Sequence, residues 1–159
     1  MISVIIASYN KKDLLKQCLD SVAEQSFKDM EIIVVDNASN DDSATMVEKC
    51  YPEIELIRNT NNLLFSKAQN QGIISSKGDF ILCLNNDVIL DKDYLKEALF
   101  SAGLNSAIGM VSGRILRMEK NTIDSTGLFL GRNRKAVERG YGKKDKGQYN
   151  KQGYVFGVS

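Results

Sequence analysis

Short apolar segments alternate with segments of helical spacing in the first part of the chain, and this alternation constrains the fold most. The apolar segments cover residues 3–8, 31–36, 54–57 and 80–84. Apolar residues at helical spacing follow each of them, so strand and helix alternate four times within about 105 residues. This pattern predicts an α/β fold with a Rossmann-like, mostly parallel sheet, right-handed crossovers and helices on both faces.

The fourth apolar segment, residues 80–84, is a continuous run of five apolar side chains. A run without polar alternation is typical of a strand covered on both faces, so we expect Cys83 to belong to the core. Asn85, Asn86 and Asp87 follow directly, at the strand end where open α/β sheets bind their ligands. The same three residues also suit a turn with a helix cap, and both interpretations stay open.

The second apolar segment also ends in a carboxylate, Asp36. In a doubly wound sheet we expect Asp36 to lie beside Asp87, where it is placed to accept hydrogen bonds from a base or a ribose. A carboxylate flanked by amide oxygens, such as Asp87, suits a hard divalent cation that also touches phosphate oxygens. Mg²⁺ or Mn²⁺ would then neutralise a departing diphosphate as a Lewis acid. For Asp36 an ordinary turn position is the alternative.

The turn after the first strand, residues 7–12, carries neither of the common phosphate-binding motifs. It lacks the GxGxxG of dinucleotide sites and the GxxxxGK[ST] of P-loops, which disfavours hydride transfer and NTP hydrolysis. Asn10 is expected to cap the helix that follows. A later helix is predicted over residues 64–75, after a polar asparagine-rich loop, with Leu64, Ala68 and Ile73 facing inward.

Composition excludes several classes of function. The 159 residues carry 21 basic and 20 acidic side chains, and a net charge of +1 gives no general attraction to nucleic acid. The chain has no histidine, which excludes an imidazole base. Three cysteines without a CxxC motif indicate reduced thiols. No apolar run of about 18 residues and no basic leader are present, so we expect a cytoplasmic protein.

The pattern changes after Gly109. Strands are predicted over residues 110–116 and 122–130, with Gly127 as a bend or bulge in the second. Residues 131–152 are basic and rich in glycine, with little periodicity. This segment is interpreted as a solvated loop, with the clamping of phosphates or of an anionic acceptor as the alternative.

Four segments in order carry a resemblance to a known family. They are residues 4–10 (VIIASYN), 33–39 (IVVDNAS), 68–72 (AQNQG) and 84–88 (LNNDV). Together they resemble the inverting family 2 glycosyltransferases of the GT-A fold, particularly the rhamnosyltransferase-like branch. The resemblance extends over nearly the whole chain up to Asp87 and more loosely beyond it.

The resemblance implies a role for each matched residue. Nucleotide-sugar binding is implied for Ser8, Tyr9, Asn10, Asp36, Asn37, Asn70, Asn85 and Asn86. In such enzymes Asp36 would pair with the imide edge of the base or with the ribose, and residues 85–87 would correspond to the DXD motif. Asp87 would then bind the metal, Mg²⁺ or Mn²⁺. Packing alone remains the alternative for Tyr9, and a buried structural amide for Asn70.

The sequence departs from the family pattern at two places. Where the family has Gly-Phe-Ala after the asparagine-rich loop, this chain has Leu64-Phe65-Ser66, which puts donor contacts from that loop in doubt. Relatives of full length also continue well past Ser159, and their catalytic base lies in that later part. The resemblance therefore implies that residues 1–159 form a single donor-binding GT-A domain without the acceptor side.

The function implied is sugar transfer with inversion from a UDP or dTDP donor to an acceptor hydroxyl. The acceptor would be a glycan or a lipid-linked molecule of cell-surface polysaccharide synthesis, at the inner face of the membrane, and homo-oligomerisation is left open. One alternative is a catalytically incomplete module that only binds nucleotide. Another is a flavodoxin-like regulatory domain, which the absence of paired carboxylates in the first turn disfavours.

Overall fold

The computed structural model describes residues 1–119 and 121–158. The chain divides into two compact units, Met1–Leu95 and a second unit that begins at Lys96. A single domain over residues 1–159 therefore stays a prediction.

The first unit is built on a four-stranded parallel sheet. Its strands are β1 Ile2–Ser8, β2 Met30–Asp36, β3 Glu55–Arg58 and β4 Phe80–Asn85. Their order across the sheet is β3-β2-β1-β4, so β1 is central and the chain reverses its winding beside it. Helices follow the strands in turn: α1 Lys12–Ala23, α2 Ser43–Cys50, α3 Phe65–Ser75 and α4 Tyr94–Gly103, of which all but the first two residues fall in the second unit. The predicted α/β alternation is confirmed.

The central strand β1 carries the core. All seven of its residues are buried, which requires cover on both faces because neighbouring side chains of a strand point to opposite sides. One face contributes Ile5 and Ala7, which pack with Ile33, Val35 and Ala68 of α3. Gly72 lets α3 approach closely, since a Cβ there would lie 2.3 Å from Cγ2 of Ile5.

The inward face of α3 differs from the prediction. Ala68 is buried as expected, but Leu64 is 74% exposed and Ile73 is 38% exposed. Gln69 and Gly72 take the buried positions instead. Helical spacing of apolar residues identified the helix, but the close approach to β1 selected small and polar residues for the contact.

Strand β4 is not the doubly covered strand that its apolar run predicts. It forms an edge of the described four-stranded sheet, and Phe80, Ile81 and Cys83 are exposed. The prediction that Cys83 belongs to the core is therefore wrong, whereas Leu84 of the same strand is buried. A continuous apolar run identifies a strand, but it does not determine the strand's place in the sheet.

The second unit contains two short antiparallel pairs. β5 Ile115–Leu116 pairs with β6 Ile123–Ser125, and β7 Leu128–Leu130 pairs with β8 Ala136–Glu138. The predicted strand over residues 110–116 is thus shorter, and the one over 122–130 is divided at Gly127, whose φ of 104° makes it the expected bend. The segment 131–152 includes β8, so part of it is ordered as a strand.

Candidate functional site

Three parallel strands of the first unit end at the same edge of the sheet and bring the predicted site residues to it. The register pairs Ser8 of β1 with Asp36 of β2, and Ala7 of β1 with Asn85 of β4. Because β1 lies between the other two strands, Asp36 and Asp87 follow strands on opposite sides of it. The expectation that these two carboxylates lie side by side is therefore wrong, and Ser8 lies at the strand end between them.

Asp36 is a buried carboxylate with one oxygen unsatisfied. Its side chain is 3% exposed. Oδ2 accepts a hydrogen bond from the backbone N–H of Ser39 at 3.2 Å, whereas Oδ1 is buried without a partner among the described residues. A buried polar atom without a partner is costly, and native structures contain few of them. Asp36 can therefore accept one further hydrogen bond from a ligand.

The amide of Asn86 links the end of β4 to the end of β1. Its Nδ2 donates to the hydroxyl of Ser8 at 3.0 Å and to the carbonyl of Asn10 at 3.4 Å. Ser8 is 1% exposed, so its hydroxyl is held beneath the site. These contacts fix the strand ends relative to each other and join three residues that the sequence assigned to the site.

The turn after β1 has an unusual backbone. Asn10 and Lys11 have φ of 58° and 62°, which is the left-handed region that non-glycine residues adopt at a cost. The loop after β2 holds this turn: Ser39 Oγ accepts the N–H of Asn10 at 2.8 Å, and Asn10 Oδ1 accepts the N–H of Asn40 at 2.9 Å. The prediction that Asn10 caps α1 is therefore wrong, because its side chain binds the loop after β2.

A carboxylate from the same loop acts at the start of α1 instead. Asp41 Oδ2 accepts the N–H of Lys12, the first residue of that helix, at 2.9 Å. Burial acts to raise the pKa of Asp41, but hydrogen bonds from Ser43 and from the Lys12 N–H outweigh it and lower the pKa. The two loops are thus bound to each other.

Asn37 positions the asparagine-rich loop. Its side chain is 3% exposed, and Oδ1 accepts hydrogen bonds from Asn59 Nδ2 at 3.1 Å and from the Leu63 N–H at 3.0 Å. Nδ2 donates to Asn62 Oδ1 at 3.1 Å and to the Leu64 carbonyl at 3.3 Å. The side chain of Asn37, assigned to the ligand from the sequence, is engaged with this loop.

A cavity of about 250 Å³ opens above these strand ends. Its lining is formed by Ala7, Ser8, Tyr9, Lys11, Asn37, Asn62, Leu64, Phe65 and Asn86. Three of the exposed lining residues, Tyr9, Leu64 and Phe65, have apolar or aromatic side chains, whereas Lys11 and Asn62 are exposed and polar. The buried Ser8 and Asn37 add polar groups deeper in the cavity. Asp36 does not line the cavity. Its free oxygen is covered in this conformation, and a ligand reaches it only if neighbouring atoms shift.

Lys11 connects the turn after β1 to Asp87. Its ammonium Nζ lies 3.2 Å from Asp87 Oδ2, and the two side chains are 54% and 42% exposed. Lys11 also lines the 250 Å³ cavity. Sequence reasoning missed this residue, although it directly follows the Ser-Tyr-Asn turn that pointed to the site.

The structure brings together most, but not all, of the residues assigned from the sequence. Asn70 is exposed on α3, and neither Asn70 nor Asn85 lines the cavity. Asn62, Leu64 and Phe65 line it instead. The sequence feature that could have indicated these residues is the polar loop followed by Leu64-Phe65-Ser66. This is the place where the sequence departs from the pattern of the family that it resembles.

The class of protein follows from this arrangement and from comparison with known proteins. The chain has a parallel sheet whose polar strand ends form a cavity at the reversal of strand order, which is where open α/β sheets generally bind their ligands. Residues 3–156 match the profile described as Glycosyl transferase family 2. The chain belongs to this family.

Curated relatives agree with this assignment. Glycosyltransferase GlyA of Streptococcus pneumoniae is 31% identical over 98 residues, which cover 60% of this chain and 14% of that protein. Poly-beta-1,6-N-acetyl-D-glucosamine synthase of Staphylococcus aureus is 26% identical over 131 residues, 77% of this chain and 30% of that protein. The chain thus spans less than a third of the length of each of these relatives.

Solved structures share the fold. S. aureus TarS 1-349 in complex with UDP has a TM-score of 0.60 and 26% identity, over 74% of this chain and 38% of that one. A mannosyltransferase from Pyrobaculum calidifontis, in complex with GDP-Man and Mn²⁺, has a TM-score of 0.63 and 24% identity over 73% and 35%. These likenesses confirm the predicted GT-A architecture.

No helix within residues 1–119 and 121–158 has the length and apolar character needed to cross a membrane. In the same residues, no three or more acidic, cysteine or histidine side chains gather where they could hold a metal ion.

Proposed function

We propose that the first unit binds the nucleoside diphosphate part of a nucleotide-sugar donor at the carboxyl edge of its sheet. The observation that carries this proposal is the buried Oδ1 of Asp36, which has no partner among the described residues. An imide N–H of uracil or thymine, or a ribose hydroxyl, would supply the missing hydrogen-bond donor. The structures of S. aureus TarS 1-349 in complex with UDP and with UDP-GlcNAc support a uridine nucleotide, with dTDP as the alternative.

The cavity has the composition that a nucleotide needs. Tyr9, which is 48% exposed, presents an aromatic face for a base. Ser8 and Asn86 offer polar groups on the cavity floor, and Lys11 provides a positive charge for phosphate. Asn37 acts indirectly, because its hydrogen bonds hold the loop that carries Leu64 over the same cavity.

Asp87 alone would hold a divalent cation weakly, and the phosphates of a bound donor would complete the site. Asp87 is a half-exposed carboxylate that is paired with Lys11 alone among the described charged groups. Magnesium sites commonly combine one or two carboxylates with substrate phosphates, and such a site needs no further protein carboxylate. Asp87 would hold Mg²⁺ or Mn²⁺, which when bound supplies Lewis-acid stabilisation of the leaving diphosphate.

Transfer with inversion requires a base for the acceptor hydroxyl. None of the described residues that line the cavity is acidic, and Asp36 and Asp87 are assigned to nucleoside and cation. A positioned base typically contributes about 10²–10⁴-fold to the rate. We therefore expect the 159-residue chain to bind donor and to hydrolyse it slowly, with the base supplied from outside these residues.

The names of relatives support an acceptor in polysaccharide or lipid-linked glycan synthesis. One relative is named a poly-beta-1,6-N-acetyl-D-glucosamine synthase. Another, from Campylobacter jejuni and 31% identical over 90 residues, is named a GalNAc(5)-diNAcBac-PP-undecaprenol beta-1,3-glucosyltransferase. We propose the same general role for this chain, at the cytoplasmic face of the membrane. Membership of the rhamnosyltransferase-like branch stays a prediction.

Titration calorimetry tests donor binding. We expect UDP or dTDP to bind this chain in Mn²⁺ or Mg²⁺ and to lose most of its affinity in EDTA. Equal affinity in EDTA would remove the cation from the proposal, and failure of UDP, dTDP and GDP alike would overturn nucleotide binding.

Turnover then separates a transferase from a module that only binds nucleotide. Nucleotide-sugars are incubated with extracted acceptors, and products are followed by mass spectrometry. Robust transfer by this chain would contradict the expectation that the catalytic base comes from outside these residues. A base would then have to be found among the carboxylates of this chain, and Asp124, Glu138 and Asp145 would be tested first.

A further inference from the structure

We infer that Lys11 is a displaceable counterion of Asp87. It holds this carboxylate while no divalent cation is bound, and it moves to a donor phosphate when a cation takes its place. The inference rests on the proposed function, because it concerns how the same site couples cation and diphosphate.

The first support is the contact itself. Lys11 Nζ lies 3.2 Å from Asp87 Oδ2, and this ion pair joins the turn after β1 to the turn after β4. A cation that binds either oxygen of this carboxylate at about 2.1 Å would lie within a few ångströms of the ammonium. Repulsion between the two positive groups at such a distance favours displacement of the ammonium when a cation binds.

The second support is the backbone that presents the lysine. Lys11 has φ 62° and ψ 44°, a left-handed conformation that a lysine adopts only at a cost. Ser39 Oγ and the Asn86 amide both bond the backbone of the preceding residue, Asn10. The surrounding loops therefore fix the turn and place the ammonium close to Asp87.

The third support is the exposure of the pair. Both side chains are more than 40% exposed. Ion pairs with this much solvent contribute little to stability, so the pair can exchange partners without loss of the fold.

The cavity provides the second position for the ammonium. Lys11 lines the 250 Å³ cavity together with Tyr9 and Ser8, where the proposed function places the nucleotide. Lysine binds phosphate oxygens as a mobile point charge on a flexible stem, and it does not need a fixed fork geometry. The same side chain can therefore leave Asp87 and contact a diphosphate in one movement.

The consequence is positive coupling between cation and diphosphate. Without nucleotide, Lys11 competes with the cation for Asp87. With nucleotide, the released ammonium contributes to phosphate binding. Each ligand then strengthens the other by the same factor, as thermodynamic linkage requires.

The test compares Lys11→Met with Lys12→Met, which removes the same charge one residue further along. Free Mn²⁺ is measured by electron paramagnetic resonance with protein alone, and UDP binding by calorimetry in saturating Mn²⁺. For Lys11→Met we expect Mn²⁺ to bind about fivefold to tenfold more tightly. We also expect UDP to bind about tenfold more weakly. Lys12→Met should change neither affinity by more than about twofold.

Two further measurements make the outcome decisive. Lys11→Arg, which keeps the charge, should retain the low Mn²⁺ affinity of the wild type, and thermal unfolding checks that each variant is folded. Unchanged or weaker Mn²⁺ binding by folded Lys11→Met would overturn the inference. If wild type fails to bind UDP, the proposed function fails, but the Mn²⁺ comparison without nucleotide still decides whether Lys11 competes for Asp87.

Discussion

The backbone N–H of Ser39 donates a hydrogen bond to Asp36 Oδ2 at 3.2 Å and leaves Oδ1 of the same carboxylate buried without a partner in the described part of the chain. The loop after β2 therefore orients the carboxylate and leaves one acceptor for a ligand. Asp87 differs, since it is half exposed and its partner is a flexible lysine. We therefore expect Asp36 to accept from a neutral donor group and Asp87 to bind a cation.

Replacement of these carboxylates should separate nucleoside binding from diphosphate binding. Asp36→Ala is expected to weaken uridine and UDP alike, by about tenfold to a hundredfold, because a hydrogen bond to a charged group is lost from both complexes. Asp87→Ala should weaken UDP in Mn²⁺ but leave uridine unchanged. Calorimetry with both ligands measures this difference. Equal loss of uridine binding in both variants would contradict the assignment.

Leu64 has a backbone conformation that favours glycine. Its φ of 67° and ψ of 166° lie in a region that side chains adopt at a cost of roughly 1–3 kcal/mol. The side chain is 74% exposed, so its removal loses little burial. Leu64→Gly should raise the free energy of unfolding by about 1 kcal/mol after the entropy cost of glycine is subtracted.

Urea unfolding measures this gain, and Leu64→Ala is the matched control. Alanine removes most of the side chain but keeps the Cβ that makes the conformation costly, so no stabilisation is expected. A gain of the same size in both variants would show that the exposed side chain is responsible and not the backbone.

The sequence predicted the strand ends of the site well, because they depend on short-range patterns. Apolar runs that stop at Ser8, Asp36 and Asn85 mark the carboxyl ends of three strands, and parallel pairing brings such ends to one edge. The order of the strands was less accessible. It depends on which crossovers pack together, and this order places β1 between the two acidic strand ends.

Contacts between distant loops could not be predicted from local patterns. Asparagine is a residue type that often caps helices, and Asn10 stands at the right place in the sequence. The N–H of Lys12, at the start of α1, instead donates to Asp41, about thirty residues away in the chain. A tertiary contact therefore replaces the local cap that the sequence favours. Likewise, no periodicity connects Lys11 with Asp87, and only the folded sheet brings them together.

Glu31 lies near the start of β2, at the end of the sheet opposite the site, and should make the free energy of unfolding depend on pH. Its Oε1 accepts hydrogen bonds from the Ser3 hydroxyl and, at 2.6 Å, from the Lys77 N–H. These bonds lower the pKa of Glu31 below its ordinary value of 4.5. A carboxyl with a lowered pKa stabilises the fold above its unfolded pKa, and this contribution is lost as pH falls through the folded pKa.

Glu31→Gln is therefore expected to lower the free energy of unfolding at pH 7 by about 0.5–1.5 kcal/mol. The difference from wild type should shrink as pH falls below 4.5 and vanish once the carboxyl is protonated. Urea unfolding between pH 3 and 7 follows it, with the exposed Glu53→Gln as control. A difference that stays constant over this range would contradict the role of the charge.

Thiol reactivity should report on the exposed edge of the sheet. Cys50 and Cys83 are exposed, whereas Cys18 is fully buried beneath the end of β4. Burial, with a smaller contribution from the charge of Asp87, raises the pKa of Cys18 to about 12, so little of the reactive thiolate forms at neutral pH. We expect iodoacetamide to modify Cys50 and Cys83 in the native chain and Cys18 only after unfolding.

Peptide mass spectrometry of Cys50→Ser should then find one reactive site in native protein, at Cys83. Desolvation by neighbouring atoms raises the pKa of the Cys83 thiol although the residue is exposed, so the rate of modification should increase as pH is raised. If Cys83 is not modified by iodoacetamide in folded protein, the sheet edge at β4 is covered in solution. Modification of Cys83 in urea is the control, because it shows that the thiol is reduced.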